Sequence, residues 1–150
     1  MSAAECSIGV SRTVGSRPVD AKKFLLVLDG DEAVLKIIAR LASPYYQVRT
    51  AREARKVLEW LHGPEPVAAI MTEHVLRTAS GVSLLETARS CRPSARRILM
   101  TTYHDLPSIV AGLHSGAIER LVQKPFSAAE LMAAILPERS ADATDQRASA

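Results

Sequence analysis

Five short apolar runs, each followed by apolar residues at helical spacing, constrain the fold of this chain more than any other feature of its sequence. The first run, KFLLVL (23–28), shows no polar alternation. That is how a strand buried on both faces reads. Val34, Ile37, Ile38 and Leu41 follow at helical spacing and predict an amphipathic helix over 32–42. YYQVR (45–49) predicts a second strand. Thr50 and Glu53 have the spacing of a capping box, and Ala54, Val57, Leu58 and Leu61 supply the stripe of the helix behind it, ended by Gly63 and Pro64. The third strand is expected over 67–71, with a helix over 81–90 that buries Leu84, Leu85 and Ala88. RILMT (97–101) is the fourth strand, followed by a short helix over 106–114 that Gly116 ends. RLVQ (120–123) is the fifth, and Ser127 with Glu130 makes a second capping box opening a helix to 136. Strict alternation of this kind implies a parallel sheet with helices on both faces, because right-handed crossovers place them there.

Residues 22–136 therefore read as one domain. The small, polar segments 1–21 and 137–150 lack any sustained period and read as disordered tails. At 150 residues, 47% hydrophobic and 23% charged, the chain can bury one core. The net charge of +3 is spread along it, with one local basic group at Arg89, Arg92, Arg96 and Arg97. No aromatic platform accompanies that group, so it reads as a solvated helix end and loop rather than a nucleic-acid surface. Cys6 and Cys91 have neither metal nor redox spacing and read as free thiols. No apolar signal segment opens the chain and no run is long enough to span a membrane. The expectation is a cytoplasmic protein without nucleic-acid or membrane partners.

Doubly wound sheets bind ligands beyond the carboxyl ends of their strands. The polar residues expected there are Asp29, Glu73, Thr102 and Lys124. Each has a bland role as well: Asp29-Gly30-Asp31 as a turn and N-cap, Thr102 as a helix cap, Lys124 as a surface lysine. Arriving from four separate segments, they point to a polar pocket.

LVQKPFSAAEL (121–131) carries a Lys-Pro-Phe followed by a capped helix. ILMTTYHDLPSIVAGLHSGAIERL (98–121) leads into it with a 22-residue interval from Thr102 to Lys124, and Gly81 stands eight residues after Glu73. With these three motifs in register, residues 23–136 resemble the receiver domain of bacterial two-component response regulators. The resemblance implies a flavodoxin-like (CheY-like), doubly wound five-stranded parallel sheet of order 2-1-3-4-5, a single three-layer domain, with a cis Lys124–Pro125 peptide. It also implies phosphoryl transfer from a histidine kinase to an aspartate after the third strand. Mg²⁺, held by two adjacent acids after the first strand and the nucleophile, would neutralise the phosphoryl oxygens, while a lysine and a hydroxyl bond them.

The sequence departs from that pattern where the chemistry sits. The acid pair is Asp29-Gly30, and the nucleophile position holds Glu73. Asp31 is expected to cap the first helix rather than replace the missing ligand. The extra methylene of Glu73 adds roughly 1.5 Å of reach, and misplacement by about 1 Å costs on the order of 100-fold in rate. Leu121 stands where receivers commonly carry an aromatic switch residue; Tyr103 is the nearby candidate to substitute. The reading is a stand-alone pseudo-receiver, not an enzyme, working through phosphorylation-independent protein contacts. It has no cofactor, with Mg²⁺ at most weakly held by Asp29 and Glu73. Glu73 is either a standing negative charge, paired with Lys124 or bonded to Thr102, or part of a decayed site. Ile109, Leu113, Leu121 and Leu131, on the fourth helix, fifth strand and fifth helix, are candidate contacts for a signalling protein or a second copy. The alternative is a competent receiver that accepts phosphate from a histidine kinase on Glu73 with Mg²⁺; His74 is a further acceptor candidate. A small-molecule phosphate pocket is disfavoured because DGDEAV (29–34) has one glycine and acids that would repel the ligand.

Overall fold

The computed structural model describes residues 22–103 and 106–136. Strands and helices alternate throughout: β1 (Phe24–Leu28), α1 (Glu32–Ala42), β2 (Gln47–Ala51), α2 (Ala54–Leu61), β3 (Val67–Glu73), α3 (Gly81–Cys91), β4 (Arg96–Thr101), α4 (Pro107–Ser115), β5 (Arg120–Gln123) and α5 (Ala128–Ile135). All strand pairs are parallel, in the order β2-β1-β3-β4-β5. The sheet is thus the middle layer of three. On one face Leu26, Leu28, Ile70 and Leu99 pack with Val57 and Leu61 of α2, Leu84 and Leu85 of α3 and Ile109 of α4. On the other, Leu25, Val27, Met71, Ile98 and Met100 pack with Leu35 and Ile38 of α1 and Leu131 and Ile135 of α5. Successive residues of β1, β3 and β4 therefore enter opposite cores, which is why their sequences are apolar without alternation.

Helix ends follow local chemistry. The Asp31 carboxylate accepts from the Ala33 amide at 2.9 Å and opens α1. Ser127 and Glu130 form a reciprocal capping box on α5, and Gly116 ends α4 at φ +88°. The box expected at Thr50 and Glu53 does not form. β2 runs two residues further than expected, pairing Thr50 with Val27 and Ala51 with Leu28, so α2 starts later behind an uncapping Glu53. The same shift removes Tyr45 and Tyr46 from the strand. Tyr46 is buried after α1, and its hydroxyl donates to the carbonyl of Ile135 at the end of α5.

Two further expectations need correction. Ile109 and Leu131 are fully buried, one in each core, so neither presents a side chain to a partner; Leu113 is 41% exposed and Leu121 half-buried. Among the described residues no thiol is free, Cys91 being disulfide-bonded, while Cys6 and both expected tails lie outside the described residues.

Of the local basic group only Arg89 is an exposed helix end; Arg92 and Arg96 are half-buried and Arg97 is buried. Each guanidinium donates to backbone carbonyls at the pole where β3 and β4 begin. Arg89 bonds Ser115, and Arg92 bonds Leu61, Gly63 and Glu65. Arg96 bonds Ala134 and Leu136. Arg97, almost wholly buried, bonds Pro93, Ala95, Gly116 and Ala117 and pairs with Glu119 at 3.3 Å. Four loops and helix ends are tied there by side chains that satisfy carbonyls no helix or strand could reach.

Candidate functional site

At the opposite pole the carboxyl ends of β1, β3 and β5 bring three charged side chains together. Asp29 follows β1 directly, its amide bonded to the Ala51 carbonyl at 3.2 Å. Its side chain is 1% exposed. One carboxylate oxygen accepts the Asp31 amide at 2.8 Å and the other the Lys124 ammonium at 2.5 Å. Lys124 follows β5, with its amide on the Thr101 carbonyl at 2.8 Å and a cis peptide to Pro125. Its ammonium also reaches Glu73 Oε1 at 3.2 Å. Glu73 closes β3, paired in the ladder with Met100, and its Oε2 accepts the Gly30 amide at 3.2 Å. One ammonium thus bridges two carboxylates, and each carboxylate has a backbone amide on its far oxygen.

The height at which Glu73 stands is set by Gly81. A Cβ at position 81 would lie 2.2 Å from the Glu73 carbonyl oxygen, and the Gly81 amide donates to the His74 carbonyl at 2.7 Å. Only glycine lets the first turn of α3 lie directly on the end of β3.

Electrostatics follow from burial and partners. Burial pushes the Asp29 carboxyl above its ordinary value; Lys124 and the Asp31 amide oppose that shift, and the Glu73 charge adds to it. For Lys124, burial alone would lower the value, but Asp29 and then Glu73 outweigh it and hold the ammonium above the ordinary lysine value.

The donor set does not fit Mg²⁺. That ion needs near-octahedral oxygen ligation at about 2.0–2.1 Å. Here an ammonium lies between the Asp29 and Glu73 carboxylates, Gly30 contributes none, and Asp31 is committed to the α1 cap. Among the described residues no group of three or more His, Cys, Asp or Glu is placed to hold a metal. Both Glu73 oxygens accept a hydrogen bond, Oε1 from the Lys124 ammonium and Oε2 from the Gly30 amide.

Of the four residues expected at the pocket, the structure joins Asp29, Glu73 and Lys124 by hydrogen bonds, and Thr102 takes no part in that network. Thr102 is exposed and makes no hydrogen bond with another described residue. Its neighbour Thr101 is the buried one, with its hydroxyl donating to the Tyr103 carbonyl at 3.0 Å and accepting the Tyr103 amide at 2.9 Å. Tyr103 itself is 57% exposed. His74 is buried beside the site, its amide on the Met100 carbonyl at 3.0 Å and its Nδ1 without a hydrogen-bond partner among the described residues. A buried ring is a poor acceptor for a phosphodonor, and nothing in the sequence signals that burial beyond its place after an apolar strand.

Residues 25–136 match the family model of the response regulator receiver domain. The chain is similar to the photosynthetic apparatus regulatory protein RegA of Rhodovulum sulfidophilum, 29% identical over 75% of this chain and 61% of that one. It is also similar to the acid tolerance regulatory protein ActR of Rhizobium meliloti, 28% identical over 76% of this chain and 58% of that one. It spans about three fifths of each of these relatives, and 22% of the hydrogenase transcriptional regulatory protein HoxA of Bradyrhizobium diazoefficiens, at 27% identity. Among solved structures, the signal receiver domain of an HD domain-containing protein from Pseudomonas fluorescens superposes with a TM-score of 0.69 at 28% identity, covering 87% of this chain and all of that one. A CheY-like receiver domain protein from Methanospirillum hungatei gives a TM-score of 0.70 at 22% identity over 86% of this chain and 98% of that one.

Proposed function

Because the chain belongs to the response regulator receiver domain family, and so to two-component signalling, we propose that it is a pseudo-receiver whose Glu73 is a standing charge in place of a transient phosphoryl group. Its output passes through protein contacts that need no phosphorylation. The single observation that carries this reading is the bridged triad: Lys124 is already held by Asp29 at 2.5 Å and Glu73 at 3.2 Å. In the family the lysine pairs with the phosphoryl group; here its partner is part of the chain. Gly30 in the second acid position removes a metal ligand from the same place. The surface offered to a signalling partner is the accessible part of α4 and β5, with Leu113 and Leu121, and a second copy of the chain is the other candidate occupant.

The test is an amide NMR titration with Mg²⁺ and then beryllofluoride, a mimic of the acyl phosphate. The expected result is no perturbation at Asp29, Glu73 or Lys124 at millimolar levels. The same titration on Gly30→Asp/Glu73→Asp is the positive control. A Cβ at 30 meets nothing closer than Glu73 Oε2, at 3.8 Å, so the acid has room. Beryllofluoride binding to the unaltered chain, with shifts spreading to α4 and β5, would sink the proposal and turn the search to a cognate histidine kinase. A partner that binds the chain and Glu73→Gln equally would show the charge itself to be irrelevant.

A further inference from the structure

A cleft of about 690 Å³ opens beside the triad, over the carboxyl ends of β1, β2 and β3, and is lined by Gly30, Arg52, Glu53, Val75, Leu76 and Arg77. It lies at the switch point between β1 and β3, where the winding of the sheet reverses and doubly wound proteins place ligands. Its volume is within the roughly 300–1,000 Å³ of small-molecule sites.

The charges around it are arranged for an anion. Arg52 donates from Nε to the Gly30 carbonyl at 3.2 Å, which anchors the guanidinium and leaves both terminal nitrogens without a hydrogen-bond partner among the described residues. Arg77, from the next loop, makes no hydrogen bond or ion pair with any described residue. Glu53 is the one acid among the described residues of the lining. The acids expected to repel a phosphate are otherwise engaged: Asp29 with Lys124, Asp31 with the α1 amide of Ala33 and Glu32 with Lys36 at 3.8 Å, while nearby Glu73 is also held by Lys124. Gly30 matters twice, because an acid there would set a carboxylate against the arginines. Val75, 65% exposed, and the half-buried Leu76 form an apolar wall next to these charges. Planar guanidinium forks bond phosphate oxygens in pairs, and an apolar wall suits the organic body of such a ligand.

We propose that this cleft is a binding site for a small organic phosphate of the nucleoside diphosphate type, with Arg52 and Arg77 on the phosphates and Val75 and Leu76 against the base or sugar. The site is independent of whether Glu73 accepts a phosphoryl group.

The probes are adenosine diphosphate, inorganic phosphate and adenosine, titrated into the full chain and followed by amide NMR. The diphosphate is expected to shift the amides of Gly30, Arg52, Val75 and Arg77 at sub-millimolar to millimolar levels, with binding weakened by added salt. Arg77→Ala and Val75→Asp, both at exposed positions, are expected to weaken it by about tenfold or more. Inorganic phosphate is expected at the same amides but more weakly. The proposal is overturned if the diphosphate leaves these amides unmoved, or if its affinity survives Arg77→Ala. It is equally overturned if inorganic phosphate matches the diphosphate, which removes the apolar wall, or if adenosine does, which removes the arginines.

Discussion

Lys124 carries more of the site than either acid, because it is the one cation between two carboxylates and one of those is wholly buried. Removing one partner of a buried pair costs about 3–5 kcal/mol, since the remaining charge stays buried without compensation. Lys124→Met is therefore expected to lose stability of that order in urea unfolding near neutral pH. The loss should depend on pH. The Asp29 value is raised on folding, so its ionisation disfavours the folded state as pH rises from the ordinary 3.8 through the folded value. In the variant that penalty grows, and unfolding in acid, where the Asp29 carboxyl is protonated, should show a smaller deficit than near neutral pH. Lys124 contributes its stability fully below 10.5 and loses it as pH rises through its higher folded value, so the deficit should shrink again in strong alkali. A pH-independent deficit would mean that Lys124 acts by packing alone. Asp29, Glu73 and Lys124 were legible in the sequence because each ends an apolar run at a fixed strand terminus. For the two threonines the sequence is silent on burial: alternation along β4 buries Thr101 and exposes Thr102, and adjacent identical residues hide that parity. The orphaned Nδ1 of His74 depends on neighbours from other segments and leaves no local trace.

Among the elements, those with a cap at the expected spacing were placed best. Ser127 and Glu130 close a reciprocal box on α5, and Asp31 opens α1, whereas the identical-looking Thr50 and Glu53 pattern lies partly inside β2. Local spacing was satisfied in both cases; pairing with Val27 and Leu28 claimed Thr50 for the sheet. Ser127→Ala is expected to cost about 1 kcal/mol, and Glu53→Ala under about 0.5 kcal/mol, because no cap bond is lost in the second. Urea midpoints of the two variants measure the difference, and equal costs would mean the α5 box contributes nothing. The same tertiary override explains Ile109 and Leu131. Both lie on helices with an accessible side, but helical periodicity alone does not say how deep α4 and α5 sit against the sheet.

At the scale of the molecule, β1, β3 and β4 send alternate residues into two cores, so neither core can come apart while the other keeps the sheet intact. Unfolding is expected to be a single cooperative transition. The lone Trp60, on α2, packs against one core, while α1 and α5 cover the other. Its fluorescence and the far-ultraviolet helix signal should therefore trace the same curve in denaturant, and two separated midpoints would show that the cores unfold independently. The order of the sheet was readable from alternation and its family resemblance. What was not readable is that the four neighbouring arginines bind carbonyls, because a charge run looks the same whether it faces water or the chain's own loops. The ties that hold the loops together sit at one pole, and the residues that make a receiver responsive sit at the other. Substitutions at Gly30 or Glu73 can therefore alter the chemistry of one pole while the arginine ties at the other keep their carbonyls.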